Sequence, residues 1–146
     1  MSLNDRIPNL VQPADNCYCG GMVDETALAE ARDAGVRHVV NLRPDAETPD
    51  FNEAEAVAAI GLTYHHLPIA SPEDLNESNV RRFDEIMDHV GDEPALVHCA
   101  SGNRVGALFA LRAGWLKGQA PDAALALGRS HGLTKMEPAV EKLLAG

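Results

Sequence analysis

The sequence contains few basic residues. It has 12 Lys and Arg residues against 22 Asp and Glu residues, which gives a formal net charge of −10 at pH 7. Proteins bind nucleic acids largely by neutralising phosphates with Lys and Arg, so this balance argues against a nucleic-acid partner. An anion-binding site on this chain therefore has to be a locally basic patch on an otherwise acidic protein.

Long hydrophobic runs and a cysteine framework are also missing. No apolar run approaches the roughly 20 residues that cross a membrane, and residues 1–20 lack the apolar segment of a signal peptide. The three cysteines form an odd set without a disulfide pattern, which fits a reducing compartment. We expect a cytoplasmic protein with no membrane partner, and its 146 residues suit a single domain over residues 1–146.

Short apolar segments alternate with helical patterns along most of the chain. Residues 16–22, 36–42, 62–69 and 95–97 have the character of strands, while residues 1–15 are expected to be an irregular lead-in. Asp24 and Gly35 suit the two ends of the first helix, and Pro49 suits the first turn of the second. This alternation predicts an α/β fold of three layers, in which helices flank a mostly parallel sheet of four to five strands.

The most informative stretch runs from a buried strand at residues 95–97 through a loop into an amphipathic helix. The loop begins with Cys99, contains Gly102 and ends with Arg104. Backbone N–H groups in such a loop converge on an anion, and the start of the helix favours a nucleophilic thiolate at the cysteine. Arg104 adds a planar charged group that grips two oxygens of an oxyanion. A nucleophile and an oxyanion clamp in one loop indicate covalent catalysis.

His98, Cys99, Gly102 and Arg104 together resemble the phosphate-binding loop of cysteine-dependent protein tyrosine and dual-specificity phosphatases. The resemblance extends over most of the chain and is closest to the bacterial phosphatase-like domain found fused to β-lactamase-like hydrolases. It implies that Cys99 is the nucleophile, Arg104 the substrate clamp and His98 the residue that orders the loop. Substrate-binding roles are implied for the remaining loop residues and the one that follows the arginine, namely Ala100, Ser101, Gly102, Asn103 and Val105. The expected partner is a phosphorylated protein or a small phosphate ester, and no cofactor or metal is implied.

Three features depart from the phosphatase pattern. Only four residues separate Cys99 from Arg104, where the family has five. Val105 stands where a hydroxyl residue assists release of phosphate, and Ser71 stands where the family has an Asp general acid. Carboxylates close to these positions are the alternative acids, and they are Asp74, Glu73, Asp45 and Glu47. Loss of the acid costs a hundredfold or more, as an order of magnitude, so turnover is expected to be slow.

Two other functions remain open for the same loop. The spacing of four residues also resembles rhodanese-type sulfurtransferases, in which the cysteine carries a persulfide and the partner is a sulfur donor. A catalytically silent module that binds an anion or a phosphopeptide is the third alternative.

Two further residue pairs invite a metal-binding interpretation. Cys17 and Cys19 lack additional ligands at zinc-site spacing, and we expect them on opposite faces of a strand. His65 and His66 are expected to place one ring inside the protein and the other outside, toward solvent. Neither pair has a third ligand in the sequence pattern, so no metal site is predicted.

Overall fold

Five strands form one sheet in the computed structural model, which describes residues 3–146, with side chains from residue 5 onward. The strands are β1 (Val11–Ala14), β2 (Cys17–Gly20), β3 (His38–Asn41), β4 (Thr63–His66) and β5 (Ala95–His98), and their order is β1-β2-β5-β3-β4. Strand β1 is antiparallel to β2, and the other pairs are parallel. The predicted α/β fold with a mostly parallel sheet is confirmed.

Helices cover both faces of the sheet. They are α1 (Leu3–Arg6), α2 (Glu25–Asp33), α3 (Glu53–Ala59), α4 (Glu77–Val90), α5 (Asn103–Leu111), α6 (Pro121–Ser130) and α7 (Glu137–Ala145). Helix α5 continues into a π-helical turn at Arg112–Leu116. Over residues 3–146, none of these helices has the length and apolar content to cross a membrane.

Strand β5 lies at the centre of the sheet, and all four of its residues are buried. Successive side chains of a strand point to opposite faces. Leu96 accordingly packs in the apolar cluster that contains α2 and α3, while Val97 packs in the cluster that contains residues of α4 to α7. This three-layer packing fixes the end of β5, where the loop with Cys99 begins.

The predicted ends of the first helix are confirmed. Asp24 caps α2 with its side chain, whose Oδ1 accepts the Ala27 N–H at 2.8 Å. Gly35 follows the helix at φ +106°, a conformation that glycine adopts without the steric cost of a side chain.

Two predicted segments differ from the structure. Residues 1–15 are not an irregular lead-in, because they contain α1 and β1 and bury Ile7; residues 1 and 2 lie outside the described residues. Strand β1 is a half-exposed edge strand that tolerates Pro13, so its sequence pattern is weak. Pro49 lies before the second long helix rather than in its first turn, since Asn52 caps α3 by accepting the Glu55 N–H at 3.1 Å.

Candidate active site

The loop between β5 and α5 is built around glycines that allow close approach of backbone segments. Gly102 has φ +91° and immediately precedes α5. One turn later, a Cβ atom on Gly106 would lie 2.1 Å from the backbone nitrogen of Leu133. Helix α5 therefore packs directly against the backbone that follows α6, which fixes the direction in which α5 begins.

Cys99 is fully buried at the carboxyl end of β5. Its N–H donates to the Gly20 carbonyl at 3.1 Å, and the Gly102 N–H donates to its Sγ at 3.0 Å. The sulfur therefore faces the start of α5 and is contacted by a backbone donor from its own loop. This is the orientation that the nucleophile prediction requires.

Arg104 lies beside Cys99 and reaches two other loops. Its Nη1 and Nη2 atoms each lie 2.9 Å from a carboxylate oxygen of Glu47, and Nη1 also donates to the Ile69 carbonyl at 2.6 Å. Burial opposes the charged form, but the hydrogen bonds and charges of Glu47 and Cys99 raise the pKa of Arg104 above its ordinary value. The structure thus brings the predicted nucleophile and clamp together.

Glu47 occupies the fork of the arginine. The hydrogen bond from Arg104 is the main reason that the pKa of Glu47 is lowered, and Arg43 adds to the effect from 3.3 Å. An ionised carboxylate in this place competes with any other anion for Arg104. The lowered pKa also works against a role of Glu47 as a general acid.

The other three carboxylates predicted as acids lie in the loops on either side of Arg104. Asp45 is exposed in the 3-10 turn that contains Glu47. Glu73 and Asp74 lie in a second 3-10 turn, which follows Ser71, and the Asp74 carboxylate accepts the Ala70 N–H at 2.8 Å. Asp74 therefore shapes the loop that holds the Ile69 carbonyl against Arg104. Their role as acids stays a prediction.

His98 is fully buried and hydrogen-bonds to a carboxylate that the sequence analysis missed. Its Nε2 lies 2.6 Å from Oε2 of Glu53 on α3, and its Nδ1 lies 3.4 Å from the Cys99 carbonyl oxygen. Only 7% of Glu53 is exposed. The sequence signal that could have identified Glu53 is its position one helical turn before Val57, so that both residues lie on the buried side of α3. The pair links the end of β5 to α3, which lies on the face of the sheet opposite to α5.

The remaining loop residues have mainly structural contacts. The carbonyls of Ala100 and Ser101 accept hydrogen bonds from the Met22 N–H and the Asn9 side chain, respectively. The Asn103 side chain accepts from the backbone N–H groups of residues 134 and 136. Val105 is fully buried in the core. The substrate-binding roles of these residues stay predictions.

Cys17 and Cys19 lie on the same face of β2, with their sulfur atoms 3.7 Å apart. The expectation of opposite faces was wrong, because residues two apart in a strand share a face. Their contact lowers the pKa of Cys17 and helps to raise that of Cys19.

His65 and His66 are both partly buried, so the expectation of one ring inside and one outside was wrong, and both rings are hydrogen-bonded. His65 Nε2 lies 3.1 Å from Nδ1 of His38, and His66 Nε2 lies 2.6 Å from the Arg43 carbonyl. Across residues 3–146, no group of three or more His, Cys, Asp or Glu side chains is arranged to hold a metal ion.

The fold and the loop geometry define a phosphatase-like α/β domain with a cysteine at the end of its central strand and an arginine in the first turn of the helix that follows. Residues 14–115 match the family described as "Beta-lactamase hydrolase-like protein, phosphatase-like domain", and the chain belongs to this family. A β-lactamase hydrolase-like protein of Xylella fastidiosa is 35% identical over 102 residues, which cover 67% of this chain and 23% of that protein. The matched segment thus spans less than a quarter of this curated relative.

Solved structures show the same architecture. A protein of Shewanella putrefaciens with the printed name "Putative phosphatase (DUF442)" has a TM-score of 0.74 and 25% identity, with 98% of this chain and 95% of that chain covered. Tk-PTP in its active form has a TM-score of 0.67 and 26% identity, covering 94% and 96% of the two chains. These similarities support the phosphatase-type class of hydrolase.

Proposed function

We propose that this domain hydrolyses phosphate monoesters through a covalent phosphocysteine at Cys99. The observation that carries the proposal is the placement of Cys99 at the end of β5, where the Gly102 N–H donates to its sulfur at 3.0 Å and Arg104 follows in the first turn of α5. The loop N–H groups and the arginine bind the phosphate oxygens, and the substrate is a phosphorylated protein or a small phosphate ester. The three free thiols fit a reducing compartment and support the cytoplasm as its location.

The reaction consists of two displacements at phosphorus. The Cys99 thiolate forms an S–P bond while the ester P–O bond breaks, and the leaving oxygen takes up a proton. Water then attacks phosphorus, the S–P bond breaks, and inorganic phosphate and the thiolate are released. Ser71 does not supply the carboxylic acid expected for the first step, and Val105 does not supply the hydroxyl expected for the second. Both steps are therefore slow. Activated aryl phosphates, whose leaving groups need little protonation, react faster than alkyl phosphates such as phosphoserine.

Sulfur transfer is the second candidate for the same loop. Four residues between Cys99 and Arg104 make a tight turn, as shown by the Gly102 N–H only 3.0 Å from the sulfur. A terminal persulfide sulfur is smaller than a phosphoryl group and suits a narrow cradle. In this reaction Cys99 takes the outer sulfur of thiosulfate, the S–S bond of the donor breaks, and sulfite leaves.

Intact-mass analysis tests the two reactions directly. The protein is incubated separately with 4-nitrophenyl phosphate and with thiosulfate, and each trapped adduct is located by peptide mapping. The proposal expects a phosphoryl adduct at Cys99, which Cys99→Ser abolishes and Arg104→Lys reduces. A persulfide with thiosulfate and no phosphoryl adduct would replace phosphatase activity with sulfur transfer. All samples carry Cys17→Ser, because the contact with Cys19 lowers the pKa of the Cys17 thiol and favours a competing adduct there.

A further inference from the structure

A cavity of about 580 Å³ lies beside the loop of residues 99–104, which we call the nucleophile loop. Leu10 and Val11 provide its apolar wall, and Ser101 belongs to the loop itself. The remaining lining residues are polar, basic or glycine, and they are Asn9, Arg129, Gly132, Thr134 and Lys135. We call this cavity the basic groove.

The basic groove is attached to the nucleophile loop on two sides. On one side, the Asn9 side chain donates to the Ser101 carbonyl at 3.0 Å. On the other side, Asn103 accepts the Thr134 N–H at 2.9 Å, and a Cβ atom on Gly132 would lie 2.7 Å from the Gly102 carbonyl oxygen. A ligand in the groove therefore lies next to the segment that carries Cys99 and Arg104.

The charge of the basic groove is opposite to that of the chain as a whole. Its lining contains Arg129 and Lys135 and no carboxylate, although the chain carries 22 acidic residues. Other cavities differ, since Asp45 and Glu53 line the one beside α3. Arg129 is paired with Glu137 at 2.6 and 2.8 Å, so the exposed Lys135 supplies the excess positive charge.

We propose that the basic groove binds the leaving-group part of the substrate and selects phosphate esters that carry an apolar group with a second negative charge. The inference rests on the proposed phosphatase function and adds the substrate class. The apolar part packs on Leu10 and Val11, and the second anionic group faces Lys135. An acidic surface elsewhere repels such a substrate, so the local positive charge decides where it binds.

The test compares two esters that differ only in charge. These are an aryl phosphate with a carboxylate on its ring and the same phosphate with a carboxamide. We expect the carboxylate ester to have a KM about threefold lower, the size of effect expected from one exposed ion pair. Its preference decreases as ionic strength rises. Lys135→Glu reverses the preference, whereas Lys142→Glu, at an exposed lysine of α7 outside the groove, leaves the ratio of the two KM values unchanged.

Direct binding separates this inference from the proposed function. The affinities of both esters are measured calorimetrically with the Cys99→Ser variant, in which no phosphocysteine forms. Equal affinities and equal KM values would contradict the proposed role of the basic groove while leaving the phosphatase function intact. A carboxylate preference that depends on Lys135, with no hydrolysis by the wild type, would support the groove and overturn the phosphatase function. Absence of binding by either ester would overturn the groove as well.

Discussion

Arg104 holds Glu47 through both of its terminal nitrogens, each 2.9 Å from a different carboxylate oxygen. The two residues are 57 positions apart in the sequence and lie in different loops. A bidentate pair of this kind is the arrangement by which arginine also grips phosphate. The protein thus supplies its own anion at the position where the proposed substrate binds.

Replacing Glu47 with Gln is expected to strengthen anion binding at Arg104. The amide carries no charge and competes less well for the guanidinium group. We expect sulfate to protect Cys99 from alkylation at about fivefold lower concentration, which corresponds to about 1 kcal/mol for a partly exposed ion pair. Glu85→Gln, at an exposed position of α4, is the control and should behave as the wild type. Identical protection in all three proteins would contradict competition by Glu47.

The same pair makes a pH-dependent contribution to stability. Arg104 lowers the pKa of Glu47 in the folded protein below the ordinary value of 4.5. The contribution is therefore complete above that ordinary value and is lost as the pH falls through the lower folded pKa. Urea unfolding should find wild type more stable than Glu47→Gln by at most about 1 kcal/mol at pH 7. The difference should vanish in strong acid, and a constant difference over the whole range would rule out this origin.

Glu53→Ala is expected to destabilise the protein by about 1–3 kcal/mol, because it leaves the buried Nε2 atom of His98 without its hydrogen-bond partner. Glu53→Gln retains an acceptor oxygen and should cost less. Glu55→Ala provides the control, as an exposed carboxylate on the same helix, and is expected within about 0.5 kcal/mol of the wild type. Chemical denaturation measures all three. Equal losses for Glu53→Ala and Glu55→Ala would show that the His98 contact contributes nothing.

Asn103→Ala is expected to release the backbone after α6 from the nucleophile loop. The Asn103 side-chain oxygen accepts the N–H groups of Thr134 and Met136, at 2.9 and 3.1 Å. Hydrogen exchange at these two amides should accelerate in Asn103→Ala, while Asn103→Asp, which keeps an acceptor, should remain close to the wild type. Unchanged exchange at both amides would show that other contacts hold this segment.

Gly106→Ala is expected to be among the most destabilising single-methyl changes in α5. The new Cβ atom would lie 2.1 Å from the Leu133 nitrogen and 2.6 Å from the Gly128 carbonyl, and neither backbone atom can move independently. Overpacking of this kind costs about 1–3 kcal/mol, occasionally more. Gly114→Ala is the comparison, since its Cβ meets the end of the Leu144 side chain, which can change rotamer. In thermal unfolding, the melting temperature of Gly106→Ala should lie well below that of Gly114→Ala.

The order of elements around Cys99 was predictable because each carries a local signal. The apolar run of β5, the glycine before α5 and the caps of α2 all depend on residues close in sequence. Parallel strands end at one edge of a sheet, and the loops that follow β3, β4 and β5 do meet at Arg104 through Glu47 and Ile69.

The partners of the site residues were not predictable from the same signals. Glu47 and Glu53 are two of many carboxylates in an acidic chain, and their pairing with Arg104 and His98 depends on side-chain packing across the fold. Strand β1 escaped detection because an edge strand needs neither continuous apolar character nor freedom from proline. The face shared by Cys17 and Cys19 followed from strand geometry alone and was predicted incorrectly.

The central position of β5 has a consequence for how the chain folds. Strands β2 and β3 both pair with β5 and are not adjacent to each other, so the sheet is continuous only after residues 95–98 have been inserted between them. Until then, the hairpin of β1 and β2 and the pair of β3 and β4 each present an unpaired parallel edge. During synthesis, these edges stay open until the segment that contains β5 has left the ribosome. Open edges promote association between chains, and a nascent chain stalled before residue 95 is expected to aggregate or to need a chaperone.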